Sequence, residues 1–212
     1  MKMFDKKKLL FIGAHPDDIE IGCLGTIIES CKNSTIYFAV VSGNDQRKVE
    51  FEDAVKELIE LGVPIFGYKI FDYPDGALYN SRSAIKTSLT SEFGDINFDY
   101  IFTHSRTDLH QDHRLVAEIT LEVFRTSNIL AFDIPKYDGG IFNSSLYMTL
   151  SDKSASTKID FLKRNYKSQA QKFWYEEDVF YSMMRLSGVE SRSKFAEAFE
   201  VVKIILGNEG YD

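Results

Sequence analysis

Leu9-Leu10-Phe11-Ile12 is an apolar run no longer than a strand, and it stops abruptly at Gly13-Ala14. A brief apolar run followed at once by turn chemistry reads as a buried strand. Residues just past the C-terminal end of such a strand face the crevice where open α/β sheets bind their ligands. A dinucleotide-binding chain would place a Gly-rich loop there, so that backbone N–H groups meet phosphates. This chain places His15-Pro16-Asp17-Asp18 there instead. Two adjacent carboxylates repel a pyrophosphate and suit a cation.

Taken alone, His-Pro-Asp-Asp is equally an ordinary turn with an Asp capping the next helix. A second cluster shifts the balance. The chain has four histidines, and after His15 the other three, His104, His110 and His113, all fall within one short stretch. Another apolar run, Tyr100 to Thr103, precedes them, so both clusters sit at strand ends. Two imidazoles and one carboxylate around an open position are what catalytic zinc uses. His15 and Asp18 are separated by two residues, so one tight turn can aim both at a single ion.

The remaining chain continues the alternation. Strands are expected at Thr35 to Ser42, Ile65 to Phe71, Tyr100 to Thr103 and Ile129 to Asp133, with helices at Asp18 to Ser30, Gln46 to Leu61, Ser81 to Glu92 and Asp112 to Arg125. Such alternation predicts a mostly parallel sheet covered on both faces, a Rossmann-like three-layer α/β sandwich. Beyond about residue 135 the pattern weakens. Leu146 to Leu150 reads as an edge strand, with helices over Lys158 to Tyr166, Phe173 to Leu186 and Phe195 to Leu206. This part is expected to form a lid and packing layer on one domain spanning residues 1–212, a length that buries a core without staples. Tyr137, Tyr147 and Trp174 are candidates for a sugar-stacking wall, although aromatic residues are more often core.

Charge and cysteine content narrow the function. A formal charge of −7 argues against nucleic acid or an anionic membrane as partner. No run approaches the ~20 apolar residues of a membrane span. The lysines at 2, 6, 7 and 8 precede an apolar stretch too short for a secretory signal. Cys23 and Cys31, the two cysteines, imply no disulfide framework and read as buried thiols. A cytoplasmic protein is expected, with homo-oligomerisation left open.

Several motifs together carry a family resemblance. His15-Pro16-Asp17-Asp18 with Gly22 and Gly25, and His110-Gln111-Asp112-His113, resemble the PIG-L/LmbE-like zinc-dependent N-acetylglucosaminyl deacetylases. Arg47 with Glu50, Leu61-Gly62, Asp75-Gly76, Ser168-Gln169 and Ala196-Glu197-Ala198-Phe199 extend the resemblance to about residue 200. Ile19 and Gln111 depart from it, at positions where the family more often has Glu and Pro. The resemblance implies Zn²⁺, or Fe²⁺ or another divalent ion, held by His15, Asp18 and His113. It leaves Asp17 as general base, with His110 stabilising the oxyanion of the tetrahedral intermediate. Asp112 would orient a ligating His, and Arg47 and Asp75 would contact sugar hydroxyls. On composition alone, those last two read as a solvated helix face and a turn former. His104 is equally structural or catalytic.

The implied activity is removal of an acetyl group from an N-acetylglucosamine-type amino sugar or its conjugate, a small-molecule substrate. Two alternatives stand beside it: a metal-dependent amidase or esterase on a non-sugar N-acyl compound, and a non-catalytic metal-binding protein. The spare Asp17 favours an enzyme, since pure metal storage would use each carboxylate as a ligand.

Overall fold

The computed structural model describes residues 3–140 and 142–206. Its strands are β1 (Lys8–Gly13), β2 (Thr35–Ser42), β3 (Ile65–Tyr73), β4 (Tyr100–His104), β5 (Asn128–Phe132), β6 (Leu146–Leu150) and β7 (Phe195–Lys203). The helices are α1 (Asp18–Ser30), α2 (Asp45–Glu60), α3 (Arg82–Phe93), α4 (Gln111–Val123), α5 (Asp152–Asn165) and α6 (Glu177–Glu190). The strands form one sheet in the order β3-β2-β1-β4-β5-β7-β6. β1 to β5 pair in parallel, and β7 runs antiparallel to both its neighbours. The expected three-layer α/β sandwich is therefore the architecture observed.

The period of a strand explains the two layers of core. Along β1, Leu9 and Phe11 enter one apolar cluster, while Leu10 and Ile12 enter the other. The first cluster lies under α1, α2, α5 and α6, where Phe11 stacks on Phe102 at 4.4 Å. The second holds Leu89, Leu115 and Ile119 of α3 and α4 against the opposite face. The central strands β1, β4 and β5 are apolar on both sides because both sides are covered.

The order of the sheet places the site. From β1 the chain winds outward through β2 to β3, then returns to the other flank of β1 as β4 and continues to β5. The switch point lies between β1 and β4, and a crevice opens beyond their C-terminal ends. His15 to Asp18 leave β1 there, and His104 to His113 leave β4.

The later part of the chain corrects three expectations. Phe195 to Lys203 is a strand rather than a helix. Phe195 and Phe199 lie four apart, a spacing that suits one helical turn and also one face of a strand. Pairing decides the matter: Phe199 registers with Phe132 of β5, and Phe195 with Leu150 of β6. Helix α5 begins at Asp152, earlier than the apolar pattern suggests, because the Ser151 side chain caps it by accepting from the Ser154 N–H. Helix α6 begins at Glu177, which leaves Phe173 and Trp174 in the preceding loop.

A buried ion pair fastens this added part to α1. Lys158 Nζ lies 2.6 Å from Glu197 Oε1, and the carboxylate accepts from the N–H groups of Gly25 and Thr26 at 2.9 and 2.7 Å. Lys158 also donates to the Ile21 carbonyl. Glycine at position 25 leaves room for this approach, since a Cβ there would sit 2.9 Å from Glu197 Oε1. Cys23 and Cys31 are both buried and are not in a disulfide. No helix among the described residues is long and apolar enough to cross a membrane.

Candidate active site

Strand β1 ends at Gly13, and the turn that follows folds back on itself. Asp18 Oδ2 accepts from the His15 N–H at 2.7 Å, so the first and last residues of His-Pro-Asp-Asp are tied together. Asp17, the N-cap of α1, adopts φ 99° in the left-handed region without a capping side-chain bond. That conformation costs a non-glycine residue of the order of 1–3 kcal/mol. Arg47 holds it in place. Its Nη2 donates to Asp17 Oδ1 at 2.7 Å and also to the Pro16 carbonyl.

The turn meets the second cluster across the crevice. Ligand atoms of His15, Asp18 and His113 all lie within 4.8 Å of one another, and all three residues are buried. His15 Nδ1 is 3.5 Å from Asp18 Oδ2, and His113 Nε2 is 3.7 Å from Asp18 Oδ1. Each ring turns its other nitrogen to a carboxylate. His113 Nδ1 lies 2.9 Å from Asp108 Oδ2, while His15 Nε2 lies 3.3 Å from Asp112 Oδ2 and 3.0 Å from Asp75 Oδ1. Two imidazoles and a carboxylate, with each imidazole backed by a further carboxylate, form a donor set that fits a divalent cation such as zinc.

Electrostatics separate the two adjacent aspartates. Burial and the neighbouring Asp18 push Asp17 up to about 7, against the pull of Arg47. Burial also works to raise Asp18, but the His113 and His104 imidazoles outweigh it and hold that carboxyl well below its usual range. Burial, then the neighbouring His104, push His113 down to about 3, so its ring is neutral and able to ligate. Asp17 Oδ2 is buried and has no hydrogen-bond partner among the described residues, and Asp17 lines the cavity.

His110 is the N-cap of α4, and its Nδ1 accepts from the Asp112 N–H at 3.3 Å. An accepting Nδ1 leaves the proton of a neutral ring on Nε2. Burial followed by the nearby His15 lowers its pKa, which favours that neutral ring. His110 lines the same cavity of about 230 Å³ as His15, Asp17, Asp18, Arg47 and Asp75. Tyr137 and Trp174 also line it. Tyr147 does not: its hydroxyl donates to Glu190 at 2.8 Å on the edge strand β6, which removes it from the expected aromatic wall.

Two placements, those of Arg47 and Asp108, depart from what the residues alone suggest. Arg47 is no solvated helix residue but is 8% exposed, spent on Asp17 and Pro16. Asp112, anchored by the N–H groups of Gly76 and Leu78, backs His15. Asp108 backs His113, binding Lys136 Nζ at 2.8 Å and the His110 N–H at 2.8 Å as well. Sequence reasoning passed over Asp108; its spacing of five from His113 bridges a loop and a helix start, and follows neither period. His104 packs behind the site, stacked on His113 at 4.0 Å with Nε2 accepting from the Ala14 N–H at 2.9 Å. Two distant motif fragments also meet, as Glu50 accepts from the Ser168 N–H and hydroxyl.

A sequence profile of the PIG-L family, described as GlcNAc-PI de-N-acetylase, matches residues 10–124, more than half of the chain and both halves of the site. The chain belongs to the PIG-L family. An Escherichia coli protein named as the uncharacterized deacetylase YaiS is 27% identical over 170 residues, covering 76% of this chain and 91% of its own length. The PIG-L fold recurs in N,N'-diacetylchitobiose deacetylase from Pyrococcus horikoshii, with a TM-score of 0.72 at 19% identity over 92% of this chain and 83% of that one. It recurs again in the zinc-inhibited form of the teicoplanin deacetylase Orf2, with a TM-score of 0.68 at 12% identity over 91% and 96% of the two chains. At such identities the structural likeness speaks to the PIG-L fold alone.

Proposed function

We propose that this PIG-L-family chain hydrolyses the N-acetyl amide of an N-acetylglucosamine-type sugar or its conjugate, using a divalent cation held by His15, Asp18 and His113. The observation that carries this reading is the spare carboxylate. Asp17 Oδ2 is buried at the cavity, unpartnered among the described residues, and next in sequence to the proposed ligand Asp18. An unstrained amide needs both a stronger electrophile and a stronger nucleophile than water at pH 7 provides. A bound Zn²⁺, Fe²⁺ or similar ion would polarise the acyl carbonyl and lower the pKa of a nearby water.

Asp17 accepts the proton of the attacking water at Oδ2, while Arg47 keeps Oδ1 occupied and the carboxylate aimed. The water oxygen bonds to the acyl carbon, and His110, carrying its proton on Nε2, donates to the oxyanion that forms. The C–N bond then breaks as Asp17 returns the proton to the leaving amine, releasing acetate and the free amino sugar. Asp112 and Asp108 hold the His15 and His113 rings in orientation. Asp75, which lines the cavity with its side chain 52% exposed, accepts a hydrogen bond from a sugar hydroxyl in this reaction.

Acetate release from N-acetylglucosamine and its conjugates tests this reading, measured before and after chelation and after metal is restored. Loss on chelation and recovery on restoration support it. Full activity in chelated protein of verified zero metal content contradicts it.

A further inference from the structure

One carboxylate, that of Asp108, joins three parts of the chain. Its Oδ1 accepts from the His110 N–H at 2.8 Å, and its Oδ2 lies 2.9 Å from His113 Nδ1. The third partner is Lys136, whose Nζ lies 2.8 Å from that same Oδ2. Lys136 belongs to a wall of the catalytic cavity, the segment after β5 that also contributes Ile134, Pro135, Tyr137 and Asp138. Its side chain is only 8% exposed. The ammonium also donates to the Ile134 carbonyl and stands 3.6 Å from Asp133 Oδ1. A buried ammonium is costly unless paired, and this one is paired with the oxygen that also meets the proposed ligand His113.

We infer that Lys136 is a positioning residue that tempers His113 through Asp108, by drawing on the carboxylate oxygen that backs the imidazole. The inference rests on the proposed cation held by His15, Asp18 and His113, and deepens that reading. A carboxylate behind a ligating imidazole raises its basicity. An ammonium bonded to the same oxygen opposes this, because it stabilises the carboxylate charge and leaves a weaker acceptor for the Nδ1–H. His113 then holds its cation less tightly. A cation held that way keeps more of its power to polarise an acyl carbonyl.

Two contacts keep Asp108 in place without Lys136. The His110 N–H holds Oδ1, and an antiparallel bridge between Asp108 and Gly140 ties the cavity wall to the loop that carries Asp108. The backbones are close there: Gly140 has φ 134°, and a Cβ on it would lie 3.0 Å from the Thr107 carbonyl oxygen. Removing the ammonium should therefore change the charge beside Oδ2 and leave the wall where it is.

The experiment measures Zn²⁺ affinity by competition with a chelator, for Lys136→Met and Lys136→Arg and for Asp108→Asn with and without Lys136→Met. Acetate release from N-acetylglucosamine and its conjugates runs in parallel. Lys136→Met should bind Zn²⁺ about threefold or more tighter than wild type, opposite in sign to the roughly 10- to 100-fold loss expected when the carboxylate itself is removed. Its kcat should fall while KM stays within about twofold, and Lys136→Arg, which keeps the charge, should stay within about twofold of wild type in affinity. In the Asp108→Asn background the gain should shrink to about twofold or less, as for residues that act through one another. Unchanged or weaker Zn²⁺ binding in Lys136→Met would overturn the inference, since a packing role can only loosen the site. A gain equally large without Asp108 would overturn it as well, because an effect through space needs no carboxylate. A raised KM at unchanged Zn²⁺ affinity would make Lys136 a substrate contact instead. Failure of the proposed reaction is a separate result. The Zn²⁺ shift without acetate release from wild type sinks the reaction alone, whereas acetate release without the shift sinks the role of Lys136 alone.

Discussion

Asp108 Oδ2 lies 2.9 Å from His113 Nδ1, and the same ring points its Nε2 at Asp18 Oδ1, 3.7 Å away. Asp108 thereby fixes which nitrogen of His113 faces the cavity. A carboxylate behind a ligating imidazole sets its tautomer and raises its basicity, and losing one costs about 10- to 100-fold in metal affinity. Asp108→Asn should weaken metal binding by about that factor, while His113→Ala should abolish it. Competition with a chelator of known affinity measures both. Equal affinity in Asp108→Asn and wild type would remove Asp108 from the site.

Arg47 acts through Asp17, since its Nη2 is 2.7 Å from Asp17 Oδ1. Residues in one hydrogen-bonded pair show non-additive effects. In a cycle of Asp17→Asn, Arg47→Met and the double variant, kcat/KM of the double variant should lie within a few-fold of Asp17→Asn alone. Additive losses would mean that Arg47 meets the sugar directly instead.

The Lys158–Glu197 pair is buried, with side chains about 4% exposed. Removing one partner of a buried pair leaves a charge uncompensated and costs roughly 3–5 kcal/mol. Lys158→Met should lower the midpoint of urea unfolding accordingly, because Glu197 would keep only the Gly25 and Thr26 N–H groups. A change below about 1 kcal/mol would show that the helix N–H groups alone satisfy that carboxylate.

Glu57 gives a pH dependence remote from the site. Burial acts to raise its carboxyl, but hydrogen bonds from Arg164 and Asn165 outweigh that and bring it below its usual value. A depressed carboxyl contributes stability above the unfolded pKa, about 4.3, and loses it as pH falls through the folded pKa. Wild type should therefore be more stable than Glu57→Gln at pH 6, and the gap should narrow at pH 3. Urea midpoints at both values decide it; a gap independent of pH contradicts the assignment.

The parallel half of the fold was legible because its central strands are short apolar runs closed by turn residues. Lys8–Gly13 and Thr35–Ser42 needed no tertiary information to be located. Phe195–Lys203 did, since the spacing of Phe195 and Phe199 fits two periods and only pairing with β5 and β6 separates them. At the site, motif residues close in sequence could be grouped by spacing. Arg47 and Asp108 could not, because their roles come from what they face: Asp17 lies on another strand end, and the His113 ring lies across a helix start. Tyr147 was misplaced for the same reason, as nothing local says that β6 is the far edge of the sheet.

Asp17 acts in the proposed reaction as a base and not as a ligand. Asp17→Asn should retain stoichiometric metal and the fold while kcat for acetate release falls by about 10² to 10⁴-fold, the usual worth of general acid–base catalysis. The measurement is kcat with metal content determined on the same sample. A near-wild-type kcat at full metal occupancy, or a loss of metal in step with the loss of rate, would contradict it.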